Sequence, residues 1–538
     1  MLHPTLRRVL WLVLIGLSHS LAHAQDDRPN ILLIIADDMG YADLGSYGSD
    51  IRTPNIDSLA DGGILFTQFH ASPLCATTRA MLLTGNNNAV AGLARQGSFA
   101  GPVIPGLAGY ENRLSDRVAL LPNLLRDAGY RTYHAGKWHL GTTLEYSPHA
   151  TGFDRSFSLK RGSGNHFDDT GIRPTPDPKY FEDDTETGWP DGEYSTAFYT
   201  DKLISWLEED RDSEQPFFMI AAYTSPHWPL QVPDEDLDLY AGHYDMGYDR
   251  LRELRFESLK TAGIIPADSR LPPRHPGVRP FDELGPAEQR LESRKMELYA
   301  AMLDNLDRHV GRLFDYLRAN ELYDDTLIVF FSDNGPAPED FYYEGPYVDY
   351  IQAHYDASYE RAGMRGNFLS YGPQWAEAGS APFKLHKGYP SEGGVVSAMI
   401  LKGPGVMPRE EYSDVYLTVM DLAPTLLELA GASYPEDKAP MLGESAWPYL
   451  SGRADAVHDD DYVTVFTHRQ YASVRQGDWK LLSLEQPFDE RYFTLHNLAE
   501  DPGEAIDLSL SNPRKRAELL ELWRSERVRL GIVLPEDL

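Results

Sequence analysis

The sequence predicts an α/β fold: a doubly wound parallel sheet followed by a smaller C-terminal α+β unit. Three observations carry this. Short continuous apolar runs alternate with helix patterns along most of the chain, polar clusters stand at the ends of several of those runs, and the tail changes to strand following strand. At 538 residues the chain is too long for one compact core. The expected division is a main unit over residues 25–450 and a small unit over 451–538.

The elements, in order, justify that reading. Residues 31–36 form a continuous apolar run, the pattern of a strand buried on both faces of a parallel sheet, and it stops at Asp37-Asp38. Thr53-Pro54 supplies an N-cap and a first helical position, and 55–61 is a short helix ended by Gly62-Gly63. A strand is expected over 64–69, then a loop carrying Cys75, then a helix over 77–83 that ends before Gly85. A helix over 121–128, closed by Gly129, precedes a strand over 131–135, with Lys137 and His139 just beyond it. Residues 217–223 are a buried strand leading to Ser225-Pro226-His227. An amphipathic helix is expected over 294–318, with Met302, Leu306, Val310, Leu313 and Leu317 near one face. Strands follow at 327–331, which leads to Asp333-Asn334, and at 395–401. The tail offers strands at 463–466, 471–475 and 479–482 and a helix over 513–530.

Composition narrows the function. The net charge is -33, and no basic stripe occurs, which excludes nucleic acid and anionic membrane surfaces as partners. The acidity serves solubility or a salty habitat. Arg7 and Arg8 precede an apolar run over 9–17, and Ala22-His23-Ala24 follows. That order describes a secretory signal peptide over 1–24, with an exported mature chain, periplasmic or secreted, starting at Gln25. Cys75 is the one cysteine, so an internal disulfide is ruled out and a lone thiol in an exported chain needs another explanation.

In an open α/β sheet ligands bind beyond the carboxyl ends of the strands. Asp37-Asp38, Lys137 with His139, His227 and Asp333-Asn334 all fall there, so clusters distant in the chain are expected to converge on one sheet edge. Asp37, Asp38, Asp333 and Asn334 offer only oxygen, which suits a hard divalent cation, calcium or magnesium. No Cys/His group has zinc spacing. Calcium is preferred over magnesium, which keeps more of its water.

These motifs bring a family into view. Ala36-Asp37-Asp38-Met39-Gly40, the run from Cys75 through Arg79 to Gly85, Gly136-Lys137-Trp138-His139, Ser225-Pro226-His227-Trp228-Pro229 and Ser332-Asp333-Asn334-Gly335 occur in order. Asp421-Leu422-Ala423-Pro424-Thr425 and Asp501-Pro502-Gly503-Glu504 follow. Together they resemble the type I, formylglycine-dependent sulfatases, most of all the bacterial arylsulfatases, over nearly the whole mature chain. The resemblance implies an alkaline-phosphatase-like mixed sheet and hydrolysis of sulfate monoesters to alcohol and sulfate. It implies that Cys75 becomes formylglycine, through a formylglycine-generating partner, and acts as its hydrate: one oxygen attacks sulfur, and the other lets the sulfated hemiacetal collapse and release sulfate. Asp37, Asp38, Asp333, Asn334 and residue 75 match the family's metal ligands, and Asp333 also matches a proton acceptor for the diol. Arg79 matches the residue that steadies the diol, and Lys137 and His139 the pair around nucleophile and leaving oxygen. His227 matches a sulfate contact that protonates the leaving group. Lys387 matches a second sulfate-binding lysine, with Lys384 close by in sequence.

One position departs from the pattern. Where the family has proline, less often alanine, two residues after the cysteine, this chain has Thr77, which neither fixes φ nor removes a donor. The rest of the motif set is intact, so the departure is read as tolerated variation. The substrate is a small-molecule or carbohydrate sulfate ester. Residues 335–378 are rich in aromatics, Phe341, Tyr347 and Trp375 among them, and form either a substrate wall or a self-packed loop cluster; 165–194 is an acidic surface loop. Two alternatives remain beside the sulfatase reading. One is a phosphonate or phosphate ester hydrolase of the same superfamily; the other is a non-catalytic periplasmic binding protein in which Cys75 stays unmodified.

Overall fold

The computed structural model describes residues 28–95, 106–174, 179–409 and 412–534, so the signal-peptide expectation lies outside the described residues. Ten strands form one mixed sheet: β1 (Asn30–Ala36), β2 (Ile64–His70), β3 (Arg131–Lys137), β4 (Arg155–Leu159), β5 (Tyr180–Glu182), β6 (Thr185–Thr187), β7 (Phe217–Ala222), β8 (Thr326–Ser332), β9 (Val396–Lys402) and β10 (Leu417–Thr418). Their order across the sheet is β10-β2-β9-β8-β1-β7-β3-β4-β5-β6. The middle of the sheet is parallel: β8, β1, β7, β3 and β4 run together, with Ala36 opposite Ser332 and Ile35 opposite Ala222. Alternate residues of β1 enter separate cores on the two faces, Leu32, Ile34 and Ala36 on one and Ile31, Leu33 and Ile35 on the other. That is why the sequence shows an unbroken apolar run rather than an alternating one.

The structure alters five expectations. β9 runs antiparallel to both β8 and β2, so the sheet is mixed as the resemblance implied, and not purely parallel as the run pattern implied. An apolar run buried on both faces carries no information about strand direction. Cys75 is not in a loop but opens the helix Cys75–Thr84, and Lys137 is the last residue of β3 rather than the first beyond it. The amphipathic helix starts earlier, spanning Pro286–Ala319, because Pro286 occupies the first helical position and Glu288 accepts from the Gly285 N–H at 2.8 Å. Its first turns are largely polar and exposed, so periodicity did not reveal them. Within 165–194, β5 and β6 extend the sheet edge where an acidic loop was expected.

A second sheet is antiparallel: β11 (Val463–His468), β12 (Tyr471–Gln476), β13 (Trp479–Ser483) and β14 (Thr494–Asn497), against which the helix Pro513–Leu530 packs through Leu519 and Trp523. It is tied to the first by buried charges. The Lys480 ammonium lies 2.6 Å from Glu392 and 2.8 Å from Glu504, and His70 at the end of β2 lies 2.9 Å from Glu392. These four side chains are at most 2% exposed. A buried ion pair is costly unless fully partnered, and here each carboxylate has a cationic neighbour.

Gly136 marks a tight point of the central sheet. Its φ is 117°, and a Cβ there would stand 1.8 Å from the Ala222 carbonyl oxygen on β7. Gly136→Ala is expected to cost about 3 kcal/mol, since both the conformation and the contact are backbone-determined. Denaturant unfolding that gave a midpoint within error of the parent would contradict this.

Candidate active site

The parallel strands deliver their polar ends to one place. Asp37 and Asp38 follow β1, Lys137 ends β3, His227 follows β7, and Asp333 and Asn334 follow β8. Backbone bonds hold the ends level: the Asp37 N–H donates to the Ser225 carbonyl and the Asp333 N–H to that of Ala36, both at 3.1 Å. Asp38 sits at φ 65°, a left-handed turn that swings its carboxylate back over the sheet edge. The reversed β9 has its first residues at this same edge, so Lys387, shortly before it, arrives here, and so does Cys75, shortly after β2. Lys387, and not Lys384, contacts Asp38.

Asp37, Asp38, Cys75 and Asp333 each offer one atom to a group within 4.8 Å of one another, and all four are buried. Cationic side chains surround the carboxylates. Lys137 donates to both oxygens of Asp37 at 2.6 and 2.7 Å, and Lys387 to both oxygens of Asp38 at 2.9 and 2.7 Å. Arg79 donates through Nε and Nη2 to one oxygen of Asp333 at 3.0 and 2.7 Å, and through Nη1 to the Lys137 carbonyl at 2.6 Å. Burial pushes the Asp37 carboxyl up to about 7 against the pull of Lys137. Burial works the same way on Asp38, but Lys387, His227 and Lys137 outweigh it and hold that carboxyl well below the usual range. Lys137 and Lys387 are held above the ordinary lysine value, each by its carboxylate partner against burial.

The residues fit a divalent cation. Asn334 donates its amide N–H to Asp38 at 2.6 Å and to the Gly335 carbonyl at 2.7 Å, while its carbonyl oxygen is buried with no hydrogen-bond partner among the described residues. An orphaned amide oxygen beside three carboxylates is what a hard cation would satisfy. The Cys75 sulfur is the odd member of that set, since a soft thiol suits such an ion less than oxygen does. Burial first, then Asp38, pushes the Cys75 thiol well above its ordinary value. The thiol lies 3.5 Å from an Asp38 oxygen.

His227 Nδ1 lies 2.7 Å from the Trp228 carbonyl, which can only accept, so Nδ1 carries the proton and Nε2 faces Asp38 at 3.3 Å. His139 sits at φ 62° with its ring against Gly162, and its Nδ1 is buried without a hydrogen-bond partner among the described residues. Burial, and then the nearby lysines, hold both imidazoles well below the ordinary histidine value, although Asp38 pulls His227 the other way.

A cavity of about 280 Å³ opens from Cys75, His139, His227 and Lys387. Of the aromatic insertion, Phe341 and Tyr347 line it. Phe341, Ile351, Tyr355 and Phe368 pack together with Trp228, and Tyr371 and Trp375 join the main core, so the insertion is both wall and self-packed cluster. Sequence reading missed Glu339 on this insertion, Lys160 and Arg161 after β4, and His468 and Arg469 in the second sheet's first hairpin, all of which line the cavity. Lys160 and Arg161 do stand at the carboxyl end of β4, a strand the sequence reading did not identify; the others lie in no strand-end motif, and no sequence spacing links them.

With this geometry in hand, likeness to known proteins is specific. The sulfatase family model matches residues 29–432. The chain is 36% identical to an uncharacterized sulfatase of Schizosaccharomyces pombe over 96% of each chain. It is 37% identical to the arylsulfatase of Klebsiella aerogenes, over 81% of this chain and 94% of that enzyme. Among solved structures it is similar to Ps i-CgsB in complex with k-i-k-neocarrahexaose, at 25% identity and a TM-score of 0.66 over 92% of each chain. The chain belongs to the sulfatase family and is a sulfuric ester hydrolase.

Proposed function

We propose that the protein hydrolyses sulfate monoesters, aryl or carbohydrate, at Cys75 after its conversion to formylglycine, with a divalent cation held by Asp37, Asp38, Asp333, Asn334 and residue 75. The observation that carries this reading is the placement of Cys75: the chain's one cysteine is buried with its sulfur within 4.8 Å of oxygens of Asp37, Asp38 and Asp333, and it lines the cavity. As a thiol it is held protonated and offers sulfur where the other donors offer oxygen. As a formylglycine hydrate it supplies one hydroxyl to attack sulfur and a second to expel sulfate. The cation, calcium in preference to magnesium, supplies charge to a sulfate oxygen and to the nucleophile. Three carboxylates face three cationic side chains here, so a bound divalent cation gives the site a positive excess suited to an anionic ester.

The chain's own residues take the remaining roles. Arg79 fixes the Asp333 carboxylate and, through the Lys137 carbonyl, the end of β3. Asp333 accepts a proton from the diol. Lys137, paired with Asp37, and Lys387, paired with Asp38, bind sulfate oxygens. His139 steadies the nucleophile. His227 donates through Nδ1 to the Trp228 carbonyl and turns Nε2 toward the leaving oxygen; as the proton donor it acts in the imidazolium form, with Nε2 carrying the second proton. A proline in place of Thr77 is compatible with the folded site. Thr77 is the third residue of its helix, where a backbone N–H has no intrahelical acceptor. Its hydroxyl meets the Leu74 carbonyl at 2.7 Å and the Ser72 hydroxyl at 2.6 Å. The proposed location is outside the cytoplasm, periplasmic or secreted, from the residue 1–24 pattern. No described helix is long and apolar enough to cross a membrane.

Lys137→Met should strip a buried carboxylate of its partner and destabilise the metal-free protein by about 3 kcal/mol; urea unfolding in chelator checks this, and a loss below about 1 kcal/mol would contradict the pairing. Cys75→Ala should fold, bind calcium through the untouched carboxylates and lack aryl sulfate turnover. Thr77→Pro should keep or raise the fraction of residue 75 found as formylglycine by peptide mass. Full turnover with residue 75 wholly a thiol would sink the mechanism. His227→Ala should lower turnover of an alkyl sulfate ~10²–10⁴-fold and of a nitrophenyl sulfate much less, because a good leaving group needs little protonation. Equal losses on the two would remove His227 from the acid role.

A further inference from the structure

We propose that Arg469 is a specificity-determining residue that holds a second anionic group, a carboxylate or a further sulfate, on the alcohol half of the ester. This rests on the sulfate-ester reading above and adds the chemistry of the substrate's other end.

The first ground is position. Arg469 stands in the turn between β11 and β12, with His468 paired to Tyr471 across it. The second sheet thereby reaches into the wall of the cavity that Cys75 lines. The sulfate end already has Lys137, His139, His227 and Lys387, so a cation from another sheet serves a different part of the substrate.

The second ground is the backbone. Arg469 has φ 55°, the left-handed region, which is sterically unfavourable for a non-glycine residue. The next hairpin of the same sheet meets the same demand with Gly477, at φ 54°. A turn alone would favour glycine, asparagine or aspartate here. A large cationic side chain kept at such a position, facing a cavity, is strain held where it can serve binding.

The third ground is charge. The chain carries 82 acidic and 49 basic side chains, yet the cavity is lined by Lys160, Arg161, Arg173, Lys179 and Arg469 in addition to Lys387, against the single acid Glu339. Several of these are engaged. Lys160 pairs with Glu186, Arg173 donates to the Tyr347 hydroxyl at 2.9 Å, and Lys179 donates to the Asp169 carbonyl. Arg469 is exposed, and no carboxylate among the described residues forms an ion pair with it. A concave site of one sign in a protein of the other focuses an attractive field on ligands of the protein's own sign. A guanidinium presents the planar fork that grips a carboxylate or sulfate through two parallel bonds.

The test uses the full protein with residue 75 converted and three substrates: 4-nitrophenyl sulfate, a ring-carboxylated analogue and an analogue with a second sulfate. Arg469→Gln should lower kcat/KM about tenfold more on an anion-bearing substrate than on the neutral one, the scale of one lost charge-assisted contact. Arg469→Lys should recover part of that difference, and added salt should shrink it. A loss confined to one anion-bearing substrate identifies which anion is held. Arg469→Gly provides the structural control. It relieves the turn, so its thermal midpoint should hold or rise while selectivity falls as in Arg469→Gln. Equal losses on all three substrates, or none, would overturn the proposal and leave the sulfatase reading intact. No turnover of any of the three by converted parent protein would overturn that reading itself.

Discussion

Three carboxylates that cannot escape one another set the terms for this structure. Asp37, Asp38 and Asp333 lie at the ends of adjacent parallel strands, buried, with oxygens a few ångströms apart. Left alone, such a cluster would protonate or push the strand ends apart. Each carboxylate is instead given its own cation: Lys137 for Asp37, Lys387 for Asp38, Arg79 for Asp333. The three cations come from three separate stretches of chain, so the charge requirement is also a requirement on topology.

The reversal of β9 answers part of it. In a purely parallel sheet the segment before a strand would lie at the amino edge, away from the site. Because β9 runs the other way, the segment before it lies at the carboxyl edge, and Lys387 meets Asp38 there. β2 pairs with β9 so that His70 stands opposite Val396, and the chain beyond His70 leads directly to Cys75. The Gly388 N–H donates to the Pro73 carbonyl at 2.9 Å, which joins the two segments just outside the sheet. The second sheet braces this corner through Lys480, Glu392, Glu504 and His70, and its first hairpin continues on to the cavity wall. Catalytic placement and cavity shape therefore depend on both sheets.

The cavity combines two surfaces with different purposes. Near Cys75 the charges are paired, rigid and buried. Farther from the cluster the wall is aromatic and basic, built from the insertion after β8, the segments after β4 and the hairpin of the second sheet. Apart from Lys160, whose N–H meets the Lys179 carbonyl at 3.0 Å beside β5, these segments lie outside the main sheet's ladder.

The sequence by itself determined the parallel centre of the sheet, since β1, β7 and β8 are unbroken apolar runs that only two-sided burial explains, and it determined most of the carboxylate cluster, since Asp37-Asp38 and Asp333-Asn334 stop those runs at the ligand-binding edge. The order of the motifs also carried the family, and with it Cys75, Arg79, His139 and His227. Strand direction at β9 was not legible, because Val396 to Lys402 reads the same in either sense. The start of the helix Pro286–Ala319 was obscured by polar first turns. Glu339 and Arg469 carry no local signal: each becomes part of the cavity only when segments far apart in the chain are packed together, and Lys160 was missed because the strand it ends, β4, was not recognised. Local chemistry is written in short patterns of polarity, whereas the far wall of the cavity is a long-range contact, and only the tertiary structure decided it.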